Sequence, residues 1–253
     1  MNFSKALVLS LGFTAITAMA APNPVAVYDF NNTLASSVAG APALVAVDPL
    51  GTSGFATDTV FGNSQTVYNF NGTNQNTQQS GFTLNTAGLL TDTAVYTVEM
   101  VFKFTERDGA WRRIFDVENR QSDNGFYVNP ANNLEVFPIG GGSSFTNGVY
   151  HDVFLTVNNG SVSFYLDGSA QATVATNIMA DSLDLMTFFL DNVVAGGQGE
   201  YSSGSVAQIK LYNAALGATE IPPVPGVPEP QTYALMLAGV GLLLVVARRR
   251  RAD

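Results

Sequence analysis

Hydrophobic and polar residues alternate with a period of two through most of the middle of the chain, over residues 24–220. The clearest run is Val95–Phe104, in which Val98, Met100, Phe102 and Phe104 are apolar and the residues between them are mostly polar or charged. Because successive side chains of a strand point to opposite faces, this run predicts a strand with one buried face and one solvent-facing face.

Further along the chain, the same pattern predicts a meander of three strands. The runs Val153–Val157 and Ser161–Leu166 are joined by Asn158-Asn159-Gly160, a turn sequence that tolerates positive φ. Asp167-Gly168 then turns the chain into a third run over residues 170–176. The three runs are short and adjacent, which favours antiparallel pairing.

Helical periodicity is nearly absent before the C-terminal tail, and another alternating run covers residues 207–212. Many short strands separated by Gly, Asn and Asp turns predict an all-β sandwich or jelly roll of two antiparallel sheets. Two glycine-rich stretches, residues 140–144 and 196–199, are predicted to be loops and are too short to be domain linkers. The sequence therefore predicts a single folded domain over residues 21–221.

The N-terminal 20 residues predict a signal peptide. Lys5 supplies the positive charge, residues 6–18 are apolar and small, and Ala18-Met19-Ala20 forms a small-residue cleavage site. The apolar stretch is too short to favour a membrane anchor. We expect the exported chain to begin near Ala21.

The C-terminus carries a second targeting segment, which has several parts in a fixed order. A proline-rich spacer at residues 222–227 precedes Pro228, Glu229 and Pro230. An uncharged apolar run then predicts a transmembrane helix over residues 232–247. The basic end of the tail should stay in the cytoplasm; it consists of Arg248, Arg249, Arg250 and Arg251.

This tail, residues 228–253, resembles the PEP-CTERM sorting signal of Gram-negative bacteria. The resemblance implies processing by an exosortase and an organism that makes extracellular polysaccharide. It also implies export, transient anchoring in the inner membrane, and then a place at the cell surface or in the extracellular matrix. The alternative is a plain C-terminal anchor, which would not require Pro-Glu-Pro at its outer edge.

Composition and charge exclude some chemistries and some partners. The 253 residues include no cysteine, which excludes disulfides and thiolate chemistry. Residues 22–227 hold six Lys and Arg residues against 18 Asp and Glu residues. That charge repels nucleic acid, which we therefore exclude as a partner, and tolerates cations such as calcium. The alternative is that the acidity only keeps an exported domain soluble.

The order of segments in the middle of the chain resembles a laminin-G-like, concanavalin A-like jelly roll domain. The resemblance departs from the common pattern at Tyr150, where tryptophan is frequent, and we expect only a packing change there. It implies a lectin-like fold over the whole middle region. The segments that carry it are Val27–Asn31, Val67–Gly72, Tyr96–Phe104, Val149–Val153, Phe164–Gly168 and Ile209–Leu216.

No catalytic set is apparent in the sequence. Asp116 and Glu118 are the nearest carboxylate pair at strand spacing, but Gln121 stands where a third carboxylate would complete a glycan-cleaving motif. We interpret them as a solvent-facing edge paired with an arginine. His151 is the sole histidine, which excludes a multi-histidine metal site, and it is interpreted as structural. We predict that the protein is not an enzyme.

Calcium is the cofactor that the sequence supports best. Asp191, Asn192 and Glu200 flank a glycine-rich loop that would bring their oxygens to one rim of the sandwich, and related domains often bind calcium there. The alternative is a set of polar turn residues without an ion. Trp111 and Tyr127 could stack on sugar rings, or could instead fill the core.

Together these features predict a non-catalytic, lectin-like surface or matrix protein that binds a glycan or an envelope protein. One alternative is a secreted glycan-active hydrolase of the concanavalin A-like class. Another is a domain that only mediates adhesion to other proteins.

Overall fold

The computed structural model describes residues 21–194 and 199–224, and the regular elements in these ranges are all β-strands. We find no helix within them that could span a membrane. The predicted signal peptide and the predicted helix over residues 232–247 lie outside the described residues. The strands are β1 (Ala26–Tyr28), β2 (Val45–Val47), β3 (Gly54–Val60), β4 (Asn63–Phe70), β5 (Gly81–Asn85), β6 (Val95–Phe104), β7 (Arg112–Asp116), β8 (Gly125–Val128), β9 (Asn133–Phe137), β10 (Gly140–Ser144), β11 (His151–Asn158), β12 (Ser161–Leu166), β13 (Ser169–Ala175), β14 (Leu185–Phe188) and β15 (Gly204–Tyr212).

The strands form two antiparallel sheets, as the sequence predicts. The first sheet has the order β13-β12-β11-β6-β15-β4-β3, and β1 also pairs with β15. The second sheet has the order β10-β9-β8-β7-β14-β5-β2. Its edge strand β10 covers residues 140–144, so the prediction of a loop there is wrong, because this stretch pairs with β9. Neighbouring strands in both sheets are often distant in sequence, as in a jelly roll.

The core lies between the sheets and is rich in aromatic rings. Val98, Met100, Phe102 and Phe104 of β6 are fully buried, which confirms the predicted inner face of this strand. Phe189 enters the same core from the second sheet and stacks on a ring of β4 with the ring centroids 4.3 Å apart. Burial of this many large apolar side chains is the main source of stability for a domain without disulfides.

The predicted turns of the meander are confirmed. Asn159 and Gly160 adopt φ values of 43° and 86°, and Asp167 and Gly168 adopt 52° and 77°. Gly168 also permits a close approach, because a Cβ at this position would lie 3.1 Å from the Cα atom of Pro223. The turn after β12 therefore contacts the C-terminal end of the domain.

The outer face of β6 is buried, and the prediction that it faces solvent is wrong. Thr97 and Glu99 are 0% and 3% exposed. The cause is the segment 213–224, which returns across the outer face of the first sheet. The Thr97 hydroxyl donates to the carbonyl of Ala214 at 2.9 Å and accepts from the amide of Leu216 at 3.0 Å.

The folded domain extends into the segment predicted as a spacer. Val224 is only 4% exposed, and Ile221 packs in an apolar cluster on the outer face of the first sheet. The proline-rich sequence is compatible with this packing, because proline offers no amide that would need a partner. The end of the domain thus lies at residue 224 or beyond.

Candidate functional site: the rim cavity

The two flanks of the glycine-rich stretch after β14 come together at one rim of the sandwich. The carboxylate of the fully buried Asp191 holds them in place. Its Oδ1 accepts from the amide of Asn192 at 2.7 Å, and its Oδ2 accepts from the amides of Gly199 and Glu200 at 2.7 and 3.0 Å. One charged side chain therefore joins the two ends of the loop.

Two arginines fill the interior of this rim. Arg120 donates from Nε to the carbonyl of Asp191 and from a terminal nitrogen to the carbonyl of Asn76, both at 2.6 Å. Arg113 donates to the carboxylate of Asp116 at 3.1 Å. Burial lowers the pKa of Arg120, and the nearby charge of Asp191 opposes that effect. The guanidinium of Arg120 thus bridges two backbone carbonyls.

Two of the predicted calcium ligands, Asp191 and Asn192, are engaged by protein groups in this arrangement, and calcium binding stays a prediction. Both oxygens of Asp191 already accept N–H bonds, and the side-chain amide of Asn192 donates to Asp123 at 2.6 Å. Within residues 21–194 and 199–224, no group of three or more His, Cys, Asp or Glu side chains is placed to hold a metal ion. Calcium requires six to eight converging oxygens, and Arg120 supplies positive charge where a cation would serve.

Two of the predicted residues meet in a cavity of about 360 Å³ at the outside of this rim, hereafter the rim cavity. Trp111 is partly exposed and precedes β7, while Glu200 follows the returning loop. The backbone of Glu200 is fixed on both sides, because its amide donates to Asp191 and its carbonyl accepts from Arg113 at 2.9 Å. The rim cavity is lined by Arg107, Gly109, Ala110, Trp111, Pro130, Gly199 and Glu200.

The carboxyl group of Glu200 is chemically distinctive. Its Oε2 is buried and has no hydrogen-bond partner. Burial raises the pKa of Glu200 to about 7, and the charges of Asp191 and Asp123 add to this effect. Near neutral pH this carboxyl can therefore both donate and accept hydrogen bonds, which suits a hydroxyl-bearing ligand.

The structure places Tyr127 and Trp111 in different environments. Tyr127 is only 1% exposed, and the guanidinium of Arg113 lies 5.2 Å from its ring centroid. The predicted stacking of Tyr127 on a sugar does not fit this placement. Tyr127 instead supports the tryptophan, because the two rings contact edge to face at 5.6 Å. Phe137 packs on Trp111 at 5.3 Å and on Tyr127 at 6.1 Å, so the three rings form one cluster.

Asp116 and His151 have structural roles. Asp116 is buried rather than solvent-facing, and it accepts bonds from the amides of Glu118 and Arg120 that shape the turn after β7. The predicted pairing of Asp116 with an arginine is confirmed at Arg113. His151 begins β11, and its Nδ1 lies 2.7 Å from a carboxylate oxygen of Asp167.

The sequence pattern did not predict a second polar cluster. Glu99 on β6 and Asp152 on β11 lie on the same outer face of the first sheet, where Lys210 of β15 joins them. The carboxylates are 53 positions apart, so no single-strand motif could reveal them. The available signal was the presence of charged residues in strands whose neighbours are apolar.

Two family models identify the class of this protein. Residues 75–222 match the family model of the concanavalin A-like lectin/glucanases superfamily, described as Laminin_G_3, and the chain belongs to this family. Residues 226–251 match the model of the PEP-CTERM protein-sorting motif. The protein is thus a PEP-CTERM chain with a concanavalin A-like domain, which implies export, processing by an exosortase, and transient membrane anchoring before the surface.

Similar solved structures show the same fold. Domain 4 of the extracellular GH43 arabinanase AbnA from Geobacillus stearothermophilus, solved with arabinotriose, is 18% identical with a TM-score of 0.58, covering 78% of this chain and 96% of that one. The binding domain of Paraclostridial Mosquitocidal Protein 1 is 12% identical with a TM-score of 0.55, covering 79% and 51%. The receptor binding domain of botulinum neurotoxin type G is 11% identical with a TM-score of 0.52, covering 79% and 50%. Among curated proteins, none matches the sequence.

Proposed function

We propose that the exported domain binds a neutral glycan of the extracellular polysaccharide, without cleaving it, at the rim cavity. The observation that carries this proposal is that Trp111 and Glu200 line the same cavity. A partly exposed indole offers a flat apolar face to the C–H groups of a sugar ring. Glu200 adds a carboxyl group to the wall of the same cavity, and a carboxyl group can bond a sugar hydroxyl.

Rigid support favours binding at this place. Trp111 packs edge to face on two aromatic rings that also contact each other, and the backbone of Glu200 is held by bonds to Asp191 and Arg113. A preorganised site loses less entropy on binding a ligand than a mobile one does. The presence of arabinotriose in the similar arabinanase domain supports a sugar ligand for this fold.

The non-catalytic part of the proposal rests on the carboxyl groups of the rim. Glycoside hydrolysis uses two carboxyl groups that flank the scissile bond. At the rim cavity, Glu200 is the lining residue with a carboxyl group, and Asp191 behind it is occupied by backbone amides. Binding without turnover is therefore the expected behaviour.

A glycan array that includes arabinotriose, probed with the secreted protein, tests this function. We expect Trp111→Ala to reduce the affinity for the selected glycan roughly tenfold, since an aromatic anchor commonly contributes more than 1 kcal/mol. Phe55→Ala is the matched control, because Phe55 is also a partly exposed aromatic residue but lies on β3 outside the rim cavity.

Two outcomes would contradict the proposal. If chromatography detects shorter sugars released from the bound glycan, the alternative of a hydrolase is supported. Absence of binding to every glycan, with capture of an envelope protein that sugars do not displace, would support the alternative of a purely adhesive domain. In the expected case the glycan is recovered intact.

A further inference from the structure

We propose that a second cavity, on the outer face of the first sheet, binds a sugar residue that carries a free ammonium group. This outer-face cavity has a volume of about 280 Å³ and lies between β6, β11, β15 and the segment at Pro222 and Pro223. Its size is at the lower end for ligand pockets, which suits one small molecule. The proposal is independent of the rim cavity, because the two cavities share no lining residue.

Strand register places the charged groups of this cavity. Asp152 on β11 pairs with Val101 on β6, and Lys210 on β15 pairs with Glu99 on β6. Glu99 and Val101 are two residues apart, so they share a face of the strand. Asp152, Glu99 and Lys210 therefore project to the same side of three adjacent strands.

Two of the three charged groups satisfy each other, and the third does not. Glu99 accepts from the ammonium of Lys210 at 2.7 Å and from the hydroxyl of Tyr212 at 2.5 Å. Asp152 is only 4% exposed, yet its Oδ1 has no hydrogen-bond partner. A buried carboxyl oxygen without a donor is costly. A ligand that brings a donor into the cavity would remove this cost.

The charge around Asp152 selects a cationic donor over an anion. Burial, followed by the charge of Glu99, raises the pKa of Asp152 to about 8, while Lys210 opposes the shift and Asp167 adds to it. Asp29 lines the cavity as well. Three carboxyl groups, those of Asp29, Glu99 and Asp152, thus line the cavity beside one lysine, and that lysine already pairs with Glu99. An ammonium group next to Asp152 would favour its ionised form and cause it to release its proton.

The remaining walls suit a ring rather than a bare amine. Val101 and Ala207 form a buried apolar floor, and Phe61 and the two prolines form the sides. Such apolar surfaces pack against the C–H groups of a sugar ring. Asn63, Gln65 and Gln208 line the cavity and offer amides to sugar hydroxyls.

Calorimetry on the secreted protein tests the proposal with three sugars that differ in one group. Glucosamine has the ammonium, whereas N-acetylglucosamine and glucose do not. At slightly acidic pH, where Asp152 retains its proton, we expect glucosamine to bind at least about tenfold more tightly than the other two. Measurement in two buffers of different ionisation enthalpy should show the release of close to one proton per glucosamine bound.

Variants distinguish this site from the rim cavity. Asp152→Asn keeps the shape of the side chain but removes its charge, so it should abolish proton release and weaken glucosamine binding about tenfold. Trp111→Ala should leave glucosamine binding unchanged, so either proposal can fail without the other. Asp108→Asn is the control, because the side chain of Asp108 is 72% exposed.

Several results would overturn the proposal. Equal affinity for glucose and glucosamine would show that the ammonium is not recognised. Equal affinity for methylamine and glucosamine would show that the ring is not recognised. No glucosamine binding, or an unchanged affinity in Asp152→Asn, would show that this carboxyl is not a ligand group.

Discussion

The rim cavity and the outer-face cavity are built in different ways. At the rim, the ligand-facing residues lie on loops, and one buried carboxylate, that of Asp191, holds the returning loop through several N–H bonds. On the outer face, the three charged residues Glu99, Asp152 and Lys210 lie on three adjacent strands, and backbone register sets their places. Removal of the Asp191 side chain should therefore disrupt the shape of the rim cavity. Substitution of Asp152 should leave the shape of the outer-face cavity intact and change only its charge.

The largest effect is expected from Asp191→Ala. The substitution leaves the amides of Gly199 and Glu200 without their acceptor, and hydrogen bonds to a charged group are among the stronger ones. We expect the free energy of unfolding to fall by about 3 kcal/mol in urea titrations, and glycan binding at the rim cavity to be lost. Asp108→Ala should change stability by less than about 0.5 kcal/mol. Equal losses in the two variants would contradict the role of Asp191.

A smaller effect of opposite sign is expected from Asp152→Asn. The pKa of Asp152 is raised from 3.8 to about 8 in the folded state, so the unfolded chain ionises first as pH rises. The wild-type protein should therefore lose stability progressively between those two values. Asp152→Asn should flatten this loss and unfold with about 2 kcal/mol more free energy than the wild type near pH 9. Urea titrations at acidic and alkaline pH measure the difference, and a variant less stable than the wild type at alkaline pH would refute it.

The smallest effect is expected from calcium. Arg120 bridges the carbonyls of Asp191 and Asn76, and no group of three or more His, Cys, Asp or Glu side chains in the described part of the chain is placed to hold a metal ion. Addition of calcium or of a chelator should therefore leave the melting temperature unchanged within about 1 °C. A ligand that binds only the folded state raises the melting temperature. A rise of several degrees on adding calcium would show that the rim rearranges around the ion.

The sequence predicted the elements that are determined by residues close together in the chain. The bounds of β6 agree with the alternating run at Val95–Phe104, and the turns at Asn159-Gly160 and Asp167-Gly168 follow from residues that tolerate positive φ. Trp111 and Glu200 were also found from the sequence as separate candidates. Their meeting in one cavity depends on the fold.

The sequence could not predict features that depend on distant partners. Thr97 and Glu99 alternate with apolar residues as in any half-exposed strand, yet segment 213–224 covers them. That segment ends in prolines, which are typical of a linker. Similarly, the burial of Tyr127 arises from Arg113 and from its packing beneath Trp111. Composition does not distinguish such a buried tyrosine from one that faces solvent.

The burial of Val224 limits how far the domain can move from its processing site. Only residues 225–227 separate this packed residue from Pro228, the first residue of the sorting motif. Four peptide units reach at most about 14 Å when fully extended. While Val224 remains packed, a cut at the start of the motif would fall within that distance of folded protein. The tether is short, and lengthening it by inserted residues would show whether this closeness controls release.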